Sequence, residues 1–145
     1  MAREKILVVD NNRIDSWFLQ QYLSRKDYLV ETTDIHHFFR KLEIYSPDLI
    51  ILSFDFFKIC GPRELTKIGE VSKRTLIVLL VSHQEIEKGR MTRKLGIFDY
   101  IIKPYNMDEI EIVTQKALET ARGKRPVGAP VEKKTDRFGF HHLIG

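Results

Sequence analysis

The sequence predicts a five-stranded, doubly wound parallel α/β fold, and three observations point there. Short apolar runs, Ile6–Val9, Leu49–Leu52 and Leu76–Val81, are bounded by polar turns, as strands buried on both faces of a parallel sheet require. Amphipathic segments with apolar residues three and four apart alternate with these runs. Polar residues follow the runs at their carboxyl ends, as Asp10-Asn11, Ser53, Ser82 and Lys103, and in such sheets functional groups collect beyond those ends.

Taken in order, Ile6–Val9 is the first strand, and residues 14 to 25 form a helix through Ile14, Phe18, Leu19, Tyr22 and Leu23. Tyr28 to Thr32 is a shorter, partly exposed strand. Residues 35 to 44 repeat the helical pattern with Ile35, Phe38, Phe39 and Leu42, and lead through a proline turn to the buried strand Leu49–Leu52. A helix near 62 to 70 precedes Leu76–Val81, and one near 84 to 94 precedes the strand Phe98 to Ile102. The last helix, 107 to 121, carries Ile110, Val113, Ala117 and Leu118 on one stripe. After it GKRPVGAPVEKKTDR has two prolines, two glycines and dense charge without apolar period, which reads as a linker over 123–138. Residues 139–145 turn apolar and aromatic again, so they either dock on the body or open a further domain.

Composition narrows the function. A chain of 145 residues, 43% hydrophobic and 30% charged, builds one domain with a real core. Its single cysteine, Cys60, excludes an internal disulfide and offers no metal cluster. The N-terminus has no signal-peptide pattern, and no apolar stretch reaches the roughly 20 residues that span a bilayer, so the expected location is the cytoplasm, without membrane contact. The net charge of +4 lies mostly late, in Arg122, Lys124, Arg125, Lys133, Lys134 and Arg137; a solvated linker fits this better than a basic groove, and no direct nucleic-acid binding is expected. DNNRIDSW after the first strand lacks the glycines that cradle phosphates. His36 and His37 diverge on a helix, His83 stands alone, and His141 and His142 have no carboxylate or cysteine near them, so neither a nucleophile with its base nor a metal set is present. Trp17 reads as ordinary partial burial on the first helix. No cofactor and no enzymatic activity are expected.

The motifs ILVVD, SPDLIIL and LGIFDYIIKPY, with Gly61 eight residues after Ser53, resemble the receiver domain of bacterial two-component response regulators. The resemblance spans residues 4 to 121 and assigns 1–122 to an atypical receiver. It implies a CheY-like, flavodoxin-like sheet of strand order 2-1-3-4-5. It also implies a pocket in which two acidic residues after strand one hold magnesium; here they are Asp10 and Asn11. The phosphoacceptor aspartate falls at Ser53, the hydroxyl that senses the phosphoryl group at Val81, a proline at Phe57, and the phosphoryl-contacting lysine at Lys103, before Pro104 and its expected cis bond. A serine cannot form the acyl phosphate, Val81 cannot donate a hydrogen bond, and Ser82 points to the opposite strand face. Magnesium binding, if any, is weak and confined to Asp10 and Asn11. Lys103 is expected to pair with Asp10 in place of the metal, and Ser53 to bond Lys103 or water. Asp55, two residues on along a continuing strand, is the one surrogate acceptor. Tyr100 holds the family's aromatic switch position and reads as packing.

The terminal Phe140-His-His-Leu-Ile-Gly145 resembles the opening of the ATPase domain of sigma-54-dependent, NtrC-like transcriptional activators. The resemblance implies an N-terminal regulatory fragment whose ATPase and DNA-reading domains lie outside this chain. It also implies a signalling face on the helix 84–94, the fifth strand and the helix 107–121, drawing on Met91, Leu95, Tyr100, Tyr105, Ile110 and Val113, and met by a protein partner or a second copy. The expected function is a pseudo-receiver acting by protein contact without aspartate phosphorylation; the alternative is a phosphorylatable receiver that uses Asp55.

Overall fold

Five parallel strands run in the order β2-β1-β3-β4-β5 in the computed structural model, which describes residues 3–61, 63–71 and 75–123. The strands are β1 (Lys5–Val9), β2 (Leu29–Thr33), β3 (Leu49–Ser53), β4 (Leu76–Ser82) and β5 (Asp99–Lys103). The helices are α1 (Arg13–Ser24), α2 (Phe38–Tyr45), α3 (Asp55–Ile59), α4 (Glu64–Val71), α5 (Ile86–Met91) and α6 (Met107–Ala121), and 3-10 turns at His83–Glu85 and Thr92–Leu95 flank α5. Val8 lies opposite Thr32 on one side and Ile51 on the other, and Ser53 lies opposite Leu80.

Because side chains alternate along a strand, the sheet builds two cores. Leu7, Val9, Ile50, Leu52, Leu79 and Val81 pack with Phe38, Leu42, Phe56, Leu65 and Ile68, on the side covered by α2, α3 and α4. Ile6, Val8, Leu49, Ile51, Val78 and Leu80 pack with Leu19 and Leu23 of α1 and Ile110, Val113, Ala117 and Leu118 of α6. Continuous apolar runs are therefore needed in the central strands, since each residue meets a helix layer whichever way it points.

Caps set the helix starts. The Asn12 side chain accepts from the Ile14 and Asp15 amides, and that of Asn106 from Glu109 at 2.7 Å, satisfying donors that the first turn leaves free. The stripe expected on α1 is corrected by the helix phase. Ser16, Leu19 and Leu23 face inward, while Ile14 is 69% and Phe18 51% exposed. The two stripes are centred about 150° apart on a 3.6-residue helix, and the Ser16 hydroxyl, which donates to the Asp10 carbonyl at 3.3 Å, holds the phase that buries Leu19 and Leu23.

Most other bounds shift by only a residue or two, and three larger differences from the sequence reading stand out. α2 starts at Phe38 rather than 35, because Asp34 accepts from the His37 amide at 2.9 Å and its ring Nδ1 lies 2.8 Å away, so the chain turns there first. α5 is cut to six residues between 3-10 turns, its entry fixed by the reciprocal Ser82–Glu85 capping box. α3 was not expected at all. β3 ends at Ser53 and Phe54 opens a helix, so Asp55 stands in its first turn and does not share Ser53's side of a continuing strand. The linker 123–138 and the segment 139–145 lie almost entirely outside the described residues.

Phe38 has no exposed surface and packs edge-on against Phe56 at 5.7 Å, whereas Phe18 is half in solvent. Urea unfolding is expected to show Phe38→Ala losing about 3–5 kcal/mol and Phe18→Ala within about 0.5 kcal/mol of the parent.

Candidate functional site

The carboxyl edge of the sheet brings Asp10, Asn11, Ser53 and Lys103 to one end of the domain, and adds a residue that sequence reasoning passed over, Asp15. The Lys103 ammonium bonds Asp10 Oδ2 at 3.2 Å and Asp15 Oδ2 at 3.1 Å. The Asp10 side chain is almost fully buried, Lys103 and Asp15 about a third exposed. The other Asp10 oxygen, Oδ1, accepts from the Asn12 amide at 3.0 Å. Burial works against the charge on Lys103, but the carboxylates of Asp10 and Asp15 outweigh it and raise the lysine above its ordinary value. Burial, with the same two carboxylates, pushes the neighbouring Tyr105 phenol up as well. Asp15 was findable in principle: five residues after Asp10, in a first turn capped by Asn12, it stands one helical turn above the strand end.

The residues expected to hold magnesium do not fit one. Both Asp10 oxygens are engaged, one of them by a cation. The Asn11 Oδ1 accepts from the Ile35 amide at 2.9 Å, so it ties down the loop after β2 rather than turning into the pocket. Ser53, buried, accepts from the Asp55 amide at 3.2 Å; its expected bond to Lys103 is replaced by this turn at the start of α3. A hard divalent ion needs several oxygen ligands, preferably anionic, and here an ammonium already uses the two carboxylates that line the edge. The Lys103-Pro104 bond is cis, as expected.

Asp55 faces Lys58 at 3.4 Å, and Lys58 also meets Glu85 Oε2 at 2.7 Å. Burial raises the Glu85 carboxyl, but Lys58 and the Ser82 amide outweigh it and hold it below its ordinary value. Asp55 therefore belongs to an ion-paired network along the α3 wall.

Val81 and Tyr100 are buried together beneath α5. A Cβ on Gly89 would lie 3.0 Å from Val81 Cγ1 and 3.6 Å from the Tyr100 ring, so the helix sits as close to the sheet as a glycine permits. The Tyr100 hydroxyl donates to the Arg90 carbonyl at 3.3 Å, and Thr92, 3.5 Å from it, donates to the Gly89 carbonyl at 2.6 Å. The reading of Tyr100 as packing agrees with this enclosure. Other residues of the expected signalling face are corrected: Ile110 and Val113 are wholly buried against the sheet, because the stripe that anchors α6 cannot also face solvent. Met91 is 73% exposed, Tyr105 is partly buried, and the Leu95 side chain lies outside the described residues.

Comparison with known proteins follows the geometry. Residues 6–115 match the family model described as response regulator receiver domain. The chain is 29% identical over 125 residues to the nitrogen assimilation regulatory protein NtrX of Azorhizobium caulinodans, covering 84% of this chain and 28% of that protein. It is 27% identical over 98 residues to the regulatory protein AtoC of Escherichia coli, covering 68% and 21%. The crystal structure of NtrX from Brucella abortus in complex with ADP superposes with a TM-score of 0.77 at 26% identity, over 86% of this chain and 28% of that one. The chain thus spans between about a fifth and just over a quarter of the length of these curated relatives.

Three outcomes test the site. Lys103→Met leaves a buried carboxylate unpaired and is expected to cost about 3–5 kcal/mol, against less than about 1 kcal/mol for Asp15→Asn at the exposed end. Because the folded-state value of Lys103 is raised, its stabilisation is complete below the ordinary lysine value of about 10.4 and is lost as pH rises through the higher folded value. Denaturation midpoints of parent and Lys103→Met should therefore converge above about pH 10.5. Gly89→Ala is expected to destabilise by about 1–3 kcal/mol through overpacking, with the loss reduced when Val81→Ala is combined with it.

Proposed function

The chain belongs to the response regulator receiver domain family, and from that premise we propose that it is a pseudo-receiver, the signal-transduction module of a larger transcriptional regulator that works by protein contact without aspartate phosphorylation. One observation carries the reading: Lys103 is held between Asp10 and Asp15 at 3.2 and 3.1 Å, while the acceptor position is a buried serine whose oxygen is already bonded within its own turn. A hydroxyl forms no acyl phosphate. The ammonium also takes the negative charge that would recruit a divalent ion to a phosphodonor.

The hydroxyl-sensing position supports the same conclusion, since Val81 has no polar atom to follow a phosphoryl group and its methyl is packed against α5. A signal then reaches the rest of the regulator through surfaces that a partner covers. ATPase and DNA-reading domains, of the kind that the terminal FHHLIG resembles, are the proposed recipients. The enclosure of Tyr100 beneath α5 gives the domain one conformation to present to them.

Acetyl phosphate with magnesium, followed by intact mass, is expected to leave the chain unmodified, and beryllofluoride to leave its native mass unchanged. A phosphoryl adduct that disappears in Asp55→Asn is the result that overturns the proposal and installs Asp55 as acceptor.

A further inference from the structure

A groove of about 760 Å³ lies between α3 and α5, lined by Phe54, Phe57 and Met91 among others, and the Lys103 cluster makes no use of it. Its floor is aromatic: the Phe54 and Phe57 rings lie 5.4 Å apart, tilted by 43°, and Phe57 meets Phe56 edge-on at 5.5 Å. On the facing wall Met91 stands 73% exposed on the last turn of α5. A flexible thioether over aromatic rings is an adaptable apolar surface.

The rim is cationic, with a surplus. Lys58, Lys88 and Lys94 line it with Glu85. Glu85 is consumed locally, by Lys58 at 2.7 Å and by the Ser82 amide at 2.9 Å. Lys88 and Lys94 are exposed and make no ion pair among the described residues. Six residues apart along α5 and the 3-10 turn that continues it, they stand roughly 9–12 Å from each other along the axis. An apolar floor with two uncommitted ammonium groups on its rim is complementary to a segment that carries apolar anchors on one face and carboxylates beside them. Glu85 in the lining, and Asp55 beside it across Lys58, disfavour a continuous polyanion such as a nucleic-acid strand.

We propose that this groove receives an acidic amphipathic segment of a partner protein, its apolar side chains on Phe54, Phe57 and Met91 and its carboxylates on Lys88 and Lys94. The proposal rests on the reading of the domain as a protein-contact module and names the chemistry of the contact.

The test uses the full chain, amide-resolved NMR and two synthetic helical peptides of identical leucine pattern, one flanked by glutamates and its twin by lysines. The acidic peptide is expected to shift resonances of Phe54, Phe57, Lys88, Met91 and Lys94, to weaken with added salt, and to leave the twin without effect. Lys88→Glu/Lys94→Glu, two exposed positions whose replacement keeps the parent circular dichroism, is expected to weaken binding about tenfold or more. Equal binding of the twins, unchanged affinity in the double variant, or shifts confined to the exposed Ile14, Trp17 and Phe18 of α1 would each overturn the groove, as would displacement of the peptide by a single-stranded oligonucleotide. Such a failure leaves the phosphodonor result untouched, whereas an adduct on Asp55 overturns the module reading while the peptide titration stays silent on it.

Discussion

The ion triad of Lys103 with Asp10 and Asp15 is the constraint on which the functional end of the domain depends. It joins the end of β5 to the end of β1 and the first turn of α1, 93 and 88 residues away along the chain. A buried ion pair is stable only where geometry and further hydrogen bonds offset the loss of hydration. Here the Asn12 amide serves the second Asp10 oxygen, and Asp15, nearer to solvent, shares the ammonium.

The same economy runs along the neighbouring strands. Ser53 satisfies the amide that opens α3, and Asn11 satisfies the amide of Ile35. Both side chains occupy positions from which a receiver would address its chemistry, and both have become backbone caps. Above β4 and β5, Gly89 lets α5 close upon Val81 and Tyr100, and the tyrosine hydroxyl ends on backbone and hydroxyl partners of that helix. A hydroxyl at 81 would bring a polar group that needs a partner; the valine needs only contact. Electrostatics at one end and packing at the other therefore favour a single state of the domain.

A pseudo-receiver of the kind proposed would convey information through what binds to it. The surface divides accordingly: the α6 stripe is committed to the core, α1 carries the exposed aromatics Trp17 and Phe18, and the wall between α3 and α5 combines an aromatic floor, an exposed thioether and two lysines without an ion pair among the described residues.

The sequence by itself determined the architecture. Apolar runs buried on both faces, alternating with helical stripes, admit few arrangements other than a doubly wound parallel sheet, and the strand order was implied by the family resemblance that the strand-end motifs carry. It also showed that Ser53 and Val81 lack, in any conformation, the carboxylate and the hydroxyl that the resemblance would place there, and it paired Lys103 with Asp10. Tertiary structure decided the rest. Which of two stripes on α1 turns inward depends on a phase set by caps and by the Ser16 bond, and two interleaved stripes look alike in one dimension. Asp15 joins Lys103 across 88 residues, a distance that no local pattern encodes. Asp55 left the strand line because β3 stops at Ser53 and a helix begins, a choice made by the packing of Phe56 into the core rather than by its own propensity. Ile110 and Val113 could be assigned to core or surface until the sheet claimed them, since a stripe becomes interior only when something covers it.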